Sequence, residues 1–278
     1  MKFSLILATI GRTQELPRFL TSLDVQTYRN FELIVVDQNK DDRLVPILES
    51  YESKFSIIRL KSLFGLSRAR NVGIKKATGD VLVFPDDDCW YPMDLLERVT
   101  LFLSKYPGYG GYIGRSVDEE GDTVVSRFDS QTGVVSLRNV WRRATSISIF
   151  LRNDVIKYVG LFDEALGAGS DTLYGSSEEM DYLIRAIKSG FKLFYDPNLL
   201  VFHPNPALQY DRSTIKRGFM YGCGMGWVLR KHHYPIGFVL YNWARPLGGI
   251  ILSLLQMRPQ KAIYHTFVFV GRIKGYLV

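Results

Sequence analysis

The sequence predicts an α/β fold, a mostly parallel sheet with flanking helices, followed by a helical C-terminal extension. Three observations predict it. Apolar strand-like runs alternate with helical periodicity through the first 85 residues, the run Val81 to Phe84 stops abruptly at Asp86-Asp87-Asp88, and basic charge collects after residue 205. Alternating strands and helices require crossover connections, and crossovers lay the strands parallel. At 278 residues and 46% hydrophobic content the chain can bury a sizeable core, as one large domain or one domain with an appendage, which argues against extensive disorder. The expected division is 1–205 for the α/β domain and 206–278 for the extension.

Strand candidates begin near Phe3, Phe31, Ser56 and Asp80. The stretch from Met1 to Thr9 has the basic and apolar parts of a signal peptide. Its apolar run is short, however, and Arg12 follows without a convincing cleavage site, so it reads as the first strand. Leu16, Phe19, Leu20 and Leu23 share one face of a helix. A helix from beyond Pro92 to about Lys105 follows the acidic triplet. Tyr109 to Arg115 and Thr123 to Phe128 flank Asp118 to Asp122 as a hairpin. The second half is more mixed, with a helix carrying Met180, Leu183, Ile184 and Ile187 as its apolar stripe and a strand from Leu199 to Phe202. Cys89 and Cys223 form no C-x-x-C pair, so the sequence suggests neither a disulfide framework nor a zinc site, and a reducing, cytoplasmic setting fits.

The chemistry gathers where strands end. In an open parallel sheet, ligands bind beyond the carboxyl ends of the strands, where Asp86, Asp87 and Asp88 fall. Three adjacent carboxylates repel one another. A hard cation, Mg²⁺ or Mn²⁺, relieves that repulsion and can in turn carry a diphosphate. The competing reading is a solvated acidic turn. Asp37 ends the second strand, where it can accept hydrogen bonds from a base or ribose or simply cap a helix. Arg70 and Asn71 follow the turn at Gly65, and Arg70 faces either a phosphate or water. Glu178, Glu179 and Asp181 open the later helix. Ser176-x-x-Glu179 has the spacing of a capping box, while a carboxylate open to an incoming hydroxyl could serve as general base.

Taken together, these residues resemble glycosyltransferase family 2, the inverting enzymes of the GT-A fold. The resemblance rests on Leu5 to Thr9, Glu32 to Asp37, Ser67 to Gly73, Gly79-Asp80, Phe84 to Asp88, Val159 to Glu164, Glu178-Glu179-x-Asp181, Arg185, Gly190 and Val201-Phe202-His203. It implies that Thr9, Asp37 and Arg70 form the nucleotide pocket, with Asp37 at the base and Asp87 assisting near the ribose. It further implies Asp86 and Asp88 as the D-x-D motif, with Asp88 on the metal, and His203 as an additional metal ligand. Glu179 matches the base position. That position commonly holds Asp after Glu, so Glu178 and Glu179 both stand as candidates. The implied reaction moves a sugar from a nucleotide-diphospho-sugar to an acceptor hydroxyl with inversion at the anomeric carbon. The competing functions are a nonenzymatic sugar-nucleotide or glycan-binding module and a metal-dependent nucleotidyltransferase, which would release pyrophosphate.

The formal charge of +7 conceals an asymmetry. Residues 206–278 carry ten Lys or Arg against one acidic residue, Asp211, which leaves the preceding 205 residues at a net −2. The same segment is rich in aliphatic and aromatic residues, a mixture that suits an anionic membrane surface better than nucleic acid. Ile236 to Trp243 and Leu247 to Met257 read as two apolar stretches interrupted at Ala244-Arg245-Pro246, each too short to span a bilayer. Tyr221 to Gly226 is glycine-rich but lacks the lysine of a phosphate loop, so it reads as a tight helix contact or turn. The expected setting is peripheral or monotopic attachment at the cytoplasmic face of a membrane, with a lipid-linked or surface-polysaccharide precursor as acceptor.

Overall fold

The computed structural model describes residues 1–122, 128–205 and 209–278. The chain forms two compact units, one of residues 1–64, 68–162 and 182–205 and the other of 65–67, 163–181 and 206–278. In chain order the elements up to residue 202 are β1 (Phe3–Thr9), α1 (Leu16–Asp24), β2 (Phe31–Asp37), α2 (Val45–Glu49), β3 (Ser56–Lys61), α3 (Leu66–Lys76), β4 (Val81–Val83), α4 (Leu95–Lys105), β5 (Gly111–Val117), β6 (Gly133–Val134), β7 (Ile149–Arg152), α5 (Asn153–Val159), α6 (Glu178–Lys188) and β8 (Leu193–Phe202).

Every strand among the described residues lies in the first unit and joins one sheet of order β3-β2-β1-β4-β7-β5-β8-β6. β3, β2, β1 and β4 run parallel, β7 runs against both β4 and β5, and β8 is parallel to β5. β2 is buried at every position, the continuous apolar pattern of a strand covered on both faces. The α1 stripe of Leu16, Phe19, Leu20 and Leu23 is fully buried in the same core as Phe3, Leu5 and Leu7. Thr9 and Asp37 are register partners at the ends of β1 and β2, so their side chains reach the same sheet edge. The turn at Asp118 closes through the Asp122 carbonyl, but the second arm of the expected hairpin, apart from Phe128, lies outside the described residues.

At the opposite edge, Glu32 is a buried carboxylate that ties three segments together. It accepts hydrogen bonds from Lys2 Nζ, Ser4 Oγ, the Thr78 amide and Thr78 Oγ1. Burial raises its pKa, but these donors outweigh that effect and hold it at about 2 against an ordinary 4.5. The carboxylate's stabilisation is therefore complete above the unfolded value and fades as pH falls through about 2. Glu32→Gln places amide hydrogens against existing donors and is expected to destabilise the protein by roughly 1–3 kcal/mol at neutral pH. In thermal melts the gap between variant and wild type should narrow as pH is lowered to about 3. A gap independent of pH would exclude the charged form as the source.

β8 begins at Leu193, earlier than the apolar run at Leu199 suggests, because a register shift opposite Ile113 and Arg115 accommodates Asp196-Pro197-Asn198. Arg115 Nε caps the Pro197 carbonyl at 2.8 Å, and Tyr112 donates to Asp196 at 2.7 Å. Gly114 is required where the strands close in, since a Cβ there would run into the Leu199 carbonyl.

The second unit contains three long helices, α7 (Arg212–Lys231), α8 (Ile236–Leu255) and α9 (Pro259–Leu277). Asp211 caps α7 by accepting the Thr214 amide at 2.8 Å. The glycine-rich stretch is the close contact expected of it, lying within α7 and packed on α9. A Cβ at Gly226 would strike the Arg272 carbonyl, and one at Gly275 the Cys223 carbonyl. The reading of two apolar stretches broken at Pro246 is corrected, because α8 runs through it as one helix. A proline at 246 deprives the Asn242 carbonyl of its usual amide donor. Arg272 Nη1 from α9 donates to that carbonyl instead, which satisfies the acceptor that the proline leaves without a partner. The continuous α8 is long and apolar enough to cross a membrane by length and composition, with 22% of its most apolar stretch buried. Ile236, Leu240, Tyr241, Ile251, Leu252 and Leu255 are exposed along it.

Candidate active site

β4 ends at Val83, and Phe84-Pro85 carries the chain over the sheet edge into Asp86-Asp87-Asp88. Two further segments converge there. Thr9 Oγ1, from the last residue of β1, donates to Asp87 Oδ2 at 2.6 Å. Trp90 pairs backbone to backbone with Phe202 in both directions at 3.0 Å, with their rings stacked, and this bridge brings His203 to Asp88. His203 Nε2 lies 3.2 Å from Asp88 Oδ1.

Asp86, Asp88 and His203 each offer a ligand atom within 4.8 Å of the others. His203 Nδ1 is 2.7 Å from the Pro204 carbonyl, which can only accept, so Nδ1 carries a proton and Nε2 is the nitrogen turned toward the carboxylates. The two carboxylates are hard oxygen ligands that suit Mn²⁺ or Mg²⁺, and His203 Nε2 would join them on giving up the proton it shares with Asp88.

Desolvation raises the Asp86 carboxyl above the usual range, and Asp88 and Asp87 add to it against the pull of Arg70. The Asp86 side chain is 37% open to solvent, which screens these charges from one another. Desolvation likewise raises Asp87, against hydrogen bonding from Thr9 and attraction to Arg12. Burial also works against ionisation of Asp88, but His203 and Arg12 more than offset it and hold the group below its ordinary value. His203 is raised in turn, since the Asp88 carboxylate outweighs desolvation of the imidazolium.

Arg70, only 1% exposed, stands 3.5 Å from Asp86 and lies over the Phe84 and Phe162 rings. The open alternative of a water-facing arginine is thereby closed. Asp37 is wholly buried and accepts from the Asn39 amide and Nδ2 and from Arg59 and Lys61. Desolvation opposes its ionisation, yet these donors keep its pKa lowered. The structure thus gathers Thr9, Asp86, Asp87, Asp88 and His203 at one sheet edge, with Arg70 beside Asp86, while Asp37 is taken up by its own donors.

Glu178 and Glu179 belong to the second unit and open α6. The Ser177 carbonyl accepts the Asp181 amide at 2.9 Å, so the helix cap falls one residue later than Ser176-x-x-Glu179 spacing implies. Ser177 adopts φ 71°, a left-handed conformation costing a non-glycine residue about 1–3 kcal/mol. Glu178 is buried beside Gly167, whereas Glu179 is only partly buried. Asp181 is wholly buried, and Lys231 Nζ and His232 Nε2 each approach it at 2.8 Å. Arg12, Arg59, Lys61, Lys231 and His232 are the partners that spacing alone does not reveal. Only Arg12 has a usable signal, lying three residues beyond Thr9 at the ligand edge of the sheet.

Residues 4–160 match the family described as Glycosyl transferase family 2. Glycosyltransferase AglE of Haloferax volcanii is 27% identical over 256 residues, covering 86% of this chain and 79% of that protein. A dolichyl N-acetyl-alpha-D-glucosaminyl phosphate 3-beta-D-2,3-diacetamido-2,3-dideoxy-beta-D-glucuronosyltransferase of Methanococcus voltae is 22% identical, covering 90% of this chain and 79% of that protein. Among solved structures, the mannosyltransferase PcManGT of Pyrobaculum calidifontis, in complex with GDP-Man and Mn²⁺, aligns with a TM-score of 0.66 at 14% identity. That alignment covers 99% of this chain and 86% of PcManGT. S. aureus TarS 1-349 in complex with UDP-GlcNAc aligns with a TM-score of 0.59 at 19% identity, covering 99% and 92% of the two chains. The shared architecture is the GT-A fold.

Proposed function

Since the chain belongs to glycosyltransferase family 2 and is a sugar transferase, we propose that it is a metal-dependent inverting enzyme acting on a lipid-linked or surface-polysaccharide acceptor. The observation that carries the metal dependence is the convergence of Asp86, Asp88 and His203, with Nε2 of His203 turned toward Asp88. These three residues would hold Mn²⁺ or Mg²⁺, which when bound offsets negative charge on a departing diphosphate. Thr9, Asp37 and Arg70 take the nucleoside end of the donor, with Asp37 toward the base and Asp87 toward the ribose. Glu179 accepts the proton of the acceptor hydroxyl as its oxygen bonds to the anomeric carbon and the bond to the diphosphate breaks. Attack from the face opposite the leaving group inverts the configuration. Glu179 is preferred to Glu178 because a base must be reachable, and Glu178 is buried.

The test is a panel of nucleotide sugars assayed for release of a nucleoside diphosphate, with Mn²⁺, Mg²⁺ or chelator. Metal-independent release from every donor would overturn the metal reading, and release of pyrophosphate would overturn the transfer chemistry.

The second unit serves as the attachment to the cytoplasmic face of an anionic membrane, with α8 lying in the interface. Support comes from the exposed apolar residues of α8 combined with the basic charge of residues 206–278. Ile251 and Leu255 are 61% and 78% exposed, so charging them does not disturb a packed core. The double variant Ile251→Asp/Leu255→Asp should lose about tenfold or more in partitioning to anionic vesicles, given what burial of such side chains contributes. Added salt should weaken wild-type binding without abolishing it. Unchanged partitioning of the folded double variant would assign these helices to packing or oligomerisation instead.

A further inference from the structure

The acidic end of β4 already holds a cation supplied by the protein. Arg12 Nη1 donates to Asp87 Oδ1 at 2.9 Å and also to Asp88 Oδ2, while His203 takes up the other oxygen of Asp88. Both Asp88 oxygens are therefore engaged before any ion arrives. A divalent cation drawn to Asp86, Asp88 and His203 meets the positive charge of Arg12 directly on one of its ligands. The two cannot share Asp88 without repulsion.

Arg12 is also held differently from the other guanidinium nearby. Arg70 is 1% exposed and packed among rings, whereas 45% of the Arg12 side chain is open to solvent. A half-exposed arginine on a long, rotatable stem can leave its partners at little packing cost. What it leaves for must be an anion, and the guanidinium fork suits phosphate oxygens. A donor diphosphate restores the negative charge that an incoming ion has consumed.

We propose that Arg12 is a stand-in cation, neutralising Asp87 and Asp88 until the ion binds and then transferring to the diphosphate of the donor. This rests on Asp86, Asp88 and His203 being the metal ligands. The alternative is a permanent brace, in which Arg12 orients the carboxylates and assists the ion.

The two roles predict opposite changes in metal affinity, measurable on the full chain without turnover. Free Mn²⁺ is followed by electron paramagnetic resonance in the absence of nucleotide. Arg12→Gln should bind Mn²⁺ about fivefold more tightly than wild type, the weight expected of a partly exposed ion pair. Arg12→Lys, which retains the charge, should stay near wild type, and Arg12→Met repeats the charge removal with a different side chain. With Mn²⁺ saturating, the nucleotide of the UDP and GDP pair that wild type binds more tightly should lose about fivefold in affinity on Arg12→Gln substitution. Equal or weaker Mn²⁺ binding by both neutral variants overturns the stand-in role, and undiminished nucleotide affinity overturns the transfer to diphosphate. Asp88→Asn separates the two premises. If it weakens Mn²⁺ binding while Arg12→Gln does not tighten it, the role of Arg12 alone fails. If wild type and Asp88→Asn bind Mn²⁺ equally, the metal assignment fails and this inference with it.

Discussion

Asp88→Asn is expected to lower metal-dependent sugar transfer by roughly 100-fold or more while the protein remains folded. Asp88 lies beyond the end of β4, outside the apolar core, so the substitution removes charge without opening a cavity. An amide can still accept from Arg12 through its oxygen. It cannot match a carboxylate as a hard ligand, and its nitrogen would set donor hydrogens against the ion. His203 loses the carboxylate that raises its affinity for protons, so its titration should move down in the variant, which is a second readout. The measurements are initial rates across a Mn²⁺ series, circular dichroism as the fold control, and the His203 titration by nuclear magnetic resonance. Full activity in the folded variant, or undiminished wild-type turnover after complete chelation, would reject the assignment.

Asp88 also shows what could be read from the sequence. The apolar run that ends at three carboxylates is a local pattern, and β4 with its acidic terminus appears where that pattern puts it. β1, β2 and β3 follow the same logic, as does the buried stripe of α1. His203 is a different matter, because its approach to Asp88 depends on the Trp90 to Phe202 bridge between distant segments. Resemblance to a family could nominate His203, but spacing could not. Arg12 has only its place three residues beyond Thr9 at the ligand edge of the sheet, and nothing local marks the two carboxylates 75 and 76 positions away. Pro246 misled for a related reason. Part of what a proline costs a helix is a carbonyl left without a donor, and the donor here, Arg272, comes from another helix. Elements set by a run of neighbouring residues are legible in the sequence, and a local rule fails where one tertiary contact reverses it.

Glu179→Gln is expected to reduce the rate of transfer at saturating donor by about 100-fold to 10,000-fold, the span associated with loss of a general base. The amide keeps the size and most of the hydrogen-bonding reach of the side chain but cannot take up the proton of the acceptor hydroxyl. Donor binding should change little, so the loss should appear in kcat rather than in donor KM. Glu178→Gln is the necessary comparison. Its side chain is 5% exposed and packs beside Gly167, whose φ of 100° disfavours any larger residue. A buried carboxylate in that position holds structure, and its substitution should lower the melting temperature more than the rate. The strained Ser177 immediately before them gives the helix start a fixed direction, and a base needs such a platform to be held at a productive angle. The two variants should therefore separate, one losing rate with its fold intact and the other losing stability first. The reverse ranking, measured with both proteins folded and saturated with donor, would transfer the base role to Glu178 and require the acceptor to reach a carboxylate that is now enclosed.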